Sequence, residues 1–220
     1  MGGRINGSIF AGQINTTMSI PLSEYKQYFP DTFELETTRV LLRLLQPGDF
    51  DTLHALAQSK DIWKYFVQEL DDAQTLRKWI ADLLQEREQG KRMPFVVIDK
   101  DTGKIAGSTS YLNISFFDKR LEIGSSWLGK DYMGMGVNKH AKFVLLSYAF
   151  GVMKMERVEI KTDNLNERAK AALLKVGMIP EGVLRSHMQM HSNRRRDTIF
   201  FSILKNEWPE RMASFFPEMI

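Results

Sequence analysis

Hydrophobic positions along the chain switch between a spacing of two and a spacing of three to four, and each switch marks a boundary between elements. Thr38-Arg-Val-Leu-Leu-Arg-Leu-Leu45 reads as a strand. Pro47-Gly-Asp49 is a turn that caps a helix from about 50 to 58, with Leu53, Leu56 and Ala57 on one face. Residues 61–67, centred on Ile62-Trp-Lys-Tyr-Phe66, are aromatic and fit neither spacing. From Asp72 to Gly90 the helical spacing returns in Leu76, Trp79, Ile80, Leu83 and Leu84. Pro94 to Ile98, the turn Asp101-Thr-Gly103 and residues 105–115 predict a β-hairpin. Residues 121–128 predict the next strand, and Gly124 with two serines in its middle predicts a bulge or a close backbone approach. A loop with two glycines then leads into a helix from about 137 to 150, with Ala141, Val144, Leu145 and Tyr148 on one face. Arg157 to Asp163 alternates as a strand, and 166–176 is a helix closed by Gly177. Residues 180–190 and 197–204 read as two closing strands around the basic turn Arg194-Arg-Arg196. Residues 1–31 are expected to form an irregular arm or leader, 32–208 the domain, and 209–220 a tail, either a short helix or a docked arm. Interleaved helices and strands make the fold class mixed α/β (α+β), with a largely antiparallel sheet.

Composition narrows the chemistry. The 220 residues include no cysteine, which excludes disulfides, thiolate metal sites and a thiol nucleophile. The net charge of +3 permits anionic partners without demanding nucleic acid, and the Arg194–Arg196 turn reads as a solvated hairpin end. No stretch reaches the ~18–20 apolar residues of a membrane span. Residues 1–17 hold one arginine and no apolar run, so no signal peptide is expected and the expected location is cytoplasmic. His54, His140, His187 and His191 are too dispersed to suggest a metal site, and His140 is expected to pack or face solvent.

The chemistry concentrates in Lys130-Asp-Tyr-Met-Gly-Met-Gly-Val-Asn-Lys139. Two glycines ahead of a helix allow left-handed backbone and remove Cβ atoms, while the helix start offers unpaired N–H groups and positive dipole. Such a loop suits a phosphate or pyrophosphate. Taken alone, the pair is more simply a tight turn. It lacks the third glycine and later acidic residue of a dinucleotide-binding unit, and the Gly-Lys-Ser/Thr of a triphosphate loop.

Context supplies more. Leu121-Glu-Ile-Gly-Ser-Ser-Trp-Leu128, Tyr132-Met-Gly-Met-Gly-Val-Asn138, Asp163-Asn-Leu-Asn-Glu-Arg-Ala169 and Lys175-Val-Gly-Met178 follow one another in an order that resembles the GNAT superfamily of acetyl-CoA-dependent N-acetyltransferases, and within it the RimJ/RimL branch. The resemblance covers about residues 33–208. It implies the GNAT acyl-CoA N-acyltransferase fold: a twisted, mostly antiparallel sheet flanked by helices, with two splayed central strands. It implies acetyl-CoA as cosubstrate, with no metal. Backbone amides of Met133, Gly134, Met135, Gly136 and Val137, with Asn138 at the helix start, would hold its pyrophosphate. Trp127 and Leu128 would lend main-chain groups to the pantetheine arm, Asn166 would hydrogen-bond it, and Lys139 and Lys142 would meet the ADP phosphates. Glu122 is the candidate base for the attacking amine. Trp63, Tyr65 and Phe66 are expected to serve as core or lip packing in a segment that borders the acceptor site.

Three positions depart from the family pattern. Asp131 stands where the loop usually opens with Gln or Arg; Leu173 replaces a frequent tyrosine acid; Ala169 replaces a serine common among RimL-like members. The expected reaction is direct acetyl transfer in a ternary complex to a primary amine, a protein N-terminus of the ribosomal-protein type. A small amine (polyamine, amino acid, aminoglycoside) is the alternative acceptor, and a silent acyl-CoA-binding module or a basic RNA- or ribosome-binding protein the alternative function. Either a monomer or a homodimer fits.

Overall fold

A computed structural model describes residues 22–220; the part of the expected N-terminal arm before Leu22 lies outside them. The elements run α1 (Leu22–Tyr28), β1 (Glu34–Glu36), β2 (Val40–Leu44), α2 (Phe50–Ala57), α3 (Ala73–Glu88), β3 (Arg92–Asp99), β4 (Lys104–Ser115), β5 (Arg120–Leu128), α4 (Val137–Gly151), β6 (Arg157–Asp163), α5 (Glu167–Leu174), β7 (Ile179–Gln189), β8 (Arg195–Leu204) and α6 (Trp208–Phe215). One eight-stranded sheet has the order β1-β2-β3-β4-β5-β6-β8-β7. Every neighbouring pair is antiparallel except β5 and β6, which run parallel through the α4 crossover.

Alternation decides which face each strand residue serves. Leu121, Ile123, Val158, Ile160, Phe201 and Ile203 point to the face covered by α4 and α5, where they join Val137, Leu145, Ala149 and Leu173 in the larger core. Trp127 and Val96 point to the opposite face, against Leu53, Trp63, Leu76 and Ile80 of α2, α3 and the segment between them. That segment, Lys60–Tyr65, is a 3-10 turn, which explains its failure to fit either spacing. Trp63 is buried there and donates its indole N–H to the Ala57 carbonyl at 2.7 Å.

One end departs from expectation and the other takes one of its two expected forms. Leu22–Tyr28 is a helix, not an irregular stretch, and Tyr25 and Phe29 enter the larger core. Residues 208–215 form a helix, of the two forms expected for the tail, and Trp208 and Phe216 pack on Phe143 and Phe150 of α4.

The sheet opens at its middle. β5 and β6 pair at Arg120–Arg157, Leu121–Val158 and Glu122–Glu159, and at no later residue. On the other edge of β5 the register with β4 slips between Ser108–Trp127 and Ser110–Gly124, placing an extra residue in β5. Ser125, in the left-handed region at φ 49°, absorbs it. This is the bulge that the Gly-Ser-Ser run predicts, and a bulge bends its strand. Here it accompanies the parting of β5 from β6.

Candidate active site

The gap between β5 and β6 opens into a cavity of about 500 Å³ that runs from the glycine loop to the β7–β8 hairpin. At its loop end, Gly134 and Gly136 have φ of 79° and 83°, conformations costly for other residues. A Cβ at either would meet no protein atom within 4 Å. The N–H groups of Gly134, Met135 and Gly136 donate to no backbone acceptor among the described residues. Gly136 is also the N-cap of α4 and brings no side-chain cap, so the first amides of that 15-residue helix are open as well. Donors without acceptors, next to space that no side chain fills, suit a phosphate-bearing group. The pyrophosphate of acetyl-CoA fits that cradle.

The residues expected at the site divide into groups. Glu122, Trp127, Leu128, Met133, Gly134, Asn138 and Asn166 line the cavity. Met135 is exposed, and the Val137 side chain is buried in the core, so these two and Gly136 offer backbone only. Beyond Glu122, the β5 main-chain groups that face β6 have no ladder partner, which leaves donors and acceptors for the amide-rich pantetheine. Asn166 is first a helix cap: its side-chain oxygen accepts from the Ala169 amide at 3.1 Å, and its NH₂ group is left to donate to a ligand.

Glu122 is 4 % exposed. Its Oε2 accepts from Asn113 Nδ2 at 2.9 Å and from Lys161 Nζ at 2.8 Å. Its Oε1 lies beside Gly124, where a Cβ would come within 3.1 Å of it. Gly124 therefore keeps the approach to the second carboxylate oxygen open.

The two lysines expected at the ADP phosphates do otherwise. Lys139 forms an ion pair with Glu218 at 2.5 Å. Lys142 turns inward: it is 3 % exposed, and its Nζ donates to Ser126 Oγ at 2.8 Å, which in turn shares a hydrogen bond with Thr109 Oγ1 at 2.7 Å. Burial without a carboxylate partner lowers its pKa to about 7. The sequence carries a hint of this, since Lys142 sits beside Ala141 and three residues before Leu145 on the apolar face of α4.

At the β7–β8 end of the cavity, the basic turn also departs from expectation. Arg194 pairs with buried Asp163, and Arg196 is 7 % exposed and lines the cavity. Tyr65, Phe66 and Val67 form part of the wall, while Trp63 stays in the core behind them. From α5 the lining residues are Arg168, Ala169, Ala172 and Leu173; the last three have no proton to give, and the guanidinium stays protonated. His140 packs against Thr37, with Nδ1 at 3.0 Å from Oγ1, and burial lowers its pKa.

The chain is similar to known proteins in sequence and in fold. A Bacillus subtilis protein provisionally named ribosomal N-acetyltransferase YdaF is 27 % identical over 173 residues, covering 77 % of this chain and 93 % of its own. The spermidine N(1)-acetyltransferase of Escherichia coli is 24 % identical over 169 residues, covering 77 % and 88 %. The crystal structure of a GCN5-related N-acetyltransferase from Brucella melitensis superposes with a TM-score of 0.77 at 27 % identity, covering 86 % of this chain and 88 % of that one. A family model described as an acetyltransferase (GNAT) domain matches residues 39–179, from the start of β2 through the splayed strands and α5 to the first residue of β7, and the chain thereby belongs to the GNAT acetyltransferases.

Proposed function

We propose that this acetyl-CoA-dependent N-acetyltransferase, of the RimJ/RimL-like kind, acetylates the N-terminal amine of a protein by direct attack in a ternary complex. The observation that carries the reading is the uncapped glycine cradle opening straight into the gap between β5 and β6. A relative named as a ribosomal N-acetyltransferase supports the choice of acceptor.

When bound, acetyl-CoA supplies an acetyl group activated as a thioester. The chain's part is to position and to move protons. Open amides at Gly134–Gly136 and at the start of α4 hold the pyrophosphate, and the unpaired edge of β5 holds the pantetheine amides in the gap. A backbone N–H of that edge polarises the acyl carbonyl. Glu122, with Oε1 open and Oε2 anchored by Asn113 and Lys161, takes the proton from the attacking amine directly or through water. An α-amine with a pKa near 8 is partly neutral at pH 7, so a modest base suffices. The departing thiol resembles cysteine at about 8.5 and leaves without a strong acid, consistent with an α5 lining of Arg168, Ala169, Ala172 and Leu173 that holds no general acid.

Calorimetry of acetyl-CoA, followed by free-thiol release over peptide N-termini and small amines, tests the proposal. Binding with turnover on a peptide N-terminus is the expected result. Binding with no turnover on any amine would point to a silent acyl-CoA-binding module, and no binding would refute the loop assignment.

A further inference from the structure

Arg196 is a buried charge that Asp163 and Glu122 stabilise from a distance but do not touch. It forms no ion pair with any described residue, and its buried Nε has no hydrogen-bond partner. The two carboxylates nearest in the fold are already engaged. Asp163 accepts from Arg194 and, at 3.0 Å, from the Leu165 amide. Glu122 accepts from Lys161 and Asn113. Leaving a guanidinium in this state costs free energy unless something arrives to pair with it.

Its position indicates what arrives. Strand alternation places Arg196, Thr198 and Phe200 of β8 on the same face as Lys161 of β6 and Glu122 of β5, the face away from α4. Thr198 Oγ1 on that face is also buried without a partner. The β7–β8 hairpin reaches across toward the segment after the 3-10 turn, where His191 approaches Glu69 at 3.5 Å, so this side of the cavity is walled on both flanks. The cosubstrate cradle, by contrast, lies at the N-terminus of α4, and α4 packs on the other face. Of the basic residues in the cavity wall, Arg92 pairs with Glu86, Lys161 pairs with Glu122 and burial brings the Lys142 pKa to about 7, which leaves Arg168 and Arg196 as the cations with no carboxylate in contact among the described residues. Such a wall repels a polycation and attracts an acid.

We infer that Arg196 binds a carboxylate of the acceptor, so that the amine acetylated by this protein belongs to an acid-bearing molecule and not to a polyamine. The inference rests on the acetyltransferase reading and names its substrate class: an amine with a carboxylate a few bonds away, carried either by an acidic residue next to a peptide N-terminus or by a free amino acid. Arg suits the task because its planar fork meets a carboxylate through two parallel hydrogen bonds. The E. coli relative named for spermidine acetylation would then differ from this chain in the charge its acceptor presents.

The test compares wild type, Arg196→Met and Arg196→Lys on the amidated peptides Ser-Asp-Ala-Ala, Ser-Asn-Ala-Ala and Ser-Lys-Ala-Ala, on free aspartate and on spermidine. Thiol release gives kcat/KM, and calorimetry of each acceptor against the CoA-loaded protein gives affinity without requiring turnover. The expected result is a preference of about 10- to 100-fold for an aspartate-bearing acceptor over its neutral counterpart. Arg196→Met should abolish that preference, Arg196→Lys should keep part of it, and acetyl-CoA affinity should stay unchanged in both. Which aspartate-bearing acceptor responds, peptide or free amino acid, identifies the source of the acid. A preference for spermidine or the lysine peptide, or one indifferent to Arg196, overturns the inference. So does a loss of acetyl-CoA affinity in Arg196→Met, which would assign the guanidinium to the cosubstrate. If no acceptor releases thiol, the acetyltransferase reading fails on its own, and calorimetry still decides: Arg196-dependent binding of the acid upholds the inference, and its absence refutes it. Removing an unpaired buried charge is expected to leave the melting temperature at or above that of wild type.

Discussion

Lys142 makes the protein's stability depend on pH in a way that can be calculated and checked. An ordinary lysine titrates at 10.5, whereas burial brings this one to about 7. The gap makes the charged form roughly 5 kcal/mol more costly in the folded protein than in the unfolded chain. The folded pKa lies below the unfolded one, so between about 7 and 10.5 the unfolded chain holds more protons. Stability therefore rises with pH across that window, by up to ~1.4 kcal/mol per pH unit, and the penalty is complete below 7. Lys142→Met removes the amine and keeps the aliphatic stem, and Ser126 retains its hydrogen bond to Thr109. Urea denaturation of both proteins at pH 6, 7, 8 and 9 measures the effect. The variant should be the more stable at pH 6, and its advantage should shrink by about 3 kcal/mol by pH 9. An advantage that stays constant across this range, with equal m-values, would show that the ammonium is solvated or paired, and the account of its burial would be wrong.

Three further substitutions probe the site. Gly134→Val should weaken acetyl-CoA binding at least 100-fold, since it forces a β-branched residue to φ 79° and fills the space beside the open amides; unchanged affinity by calorimetry would remove the loop from cosubstrate binding. Glu122→Gln should lower kcat at pH 7 by about 10²-fold or more with little change in acetyl-CoA affinity, and a full-rate variant would exclude Glu122 as the base. Asn166→Ala should cost about 0.5–2 kcal/mol in chemical denaturation through loss of the α5 cap, and should also raise the dissociation constant for acetyl-CoA; a stability loss alone would confine Asn166 to capping.

The strands and helices that form the gap were legible because their residues repeat at one spacing or the other. Arg157–Asp163 is an example whose observed limits match its pattern. β1 was not legible, since three residues, Glu34-Leu-Glu36, are too few to show alternation and two of them are charged. α1 was hidden for a similar reason: its anchors are aromatic, Tyr25 with Phe29 just beyond the helix, and they follow a stretch rich in Gly, Ser and Asn. The glycine loop could be read because backbone requirements leave glycine in the sequence. Arg196 could not, because charge type alone predicts solvent, and Lys142 left only the hint of its place on the apolar face of α4. Their burial depends on strands and helices far away in the chain. Arg196 is the sharpest case: it follows two other arginines in a hairpin turn, yet alternation sends Arg195 outward and Arg196 into the cavity.

The parting of β5 and β6 has a mechanical consequence. Five strands lie on one side of the seam and three on the other, and within the sheet only the short ladder from Arg120 to Glu122 joins them. Below that ladder the two halves are held by what packs across the α4 face. A ligand wedged into the seam therefore acts as a missing structural member, stiffening the joint between two plates while it awaits reaction. At a hundred times its dissociation constant it would add about 2.7 kcal/mol to the resistance to unfolding. On that reading the same molecule would serve as reagent and as keystone, and loading with acetyl-CoA should raise the melting temperature.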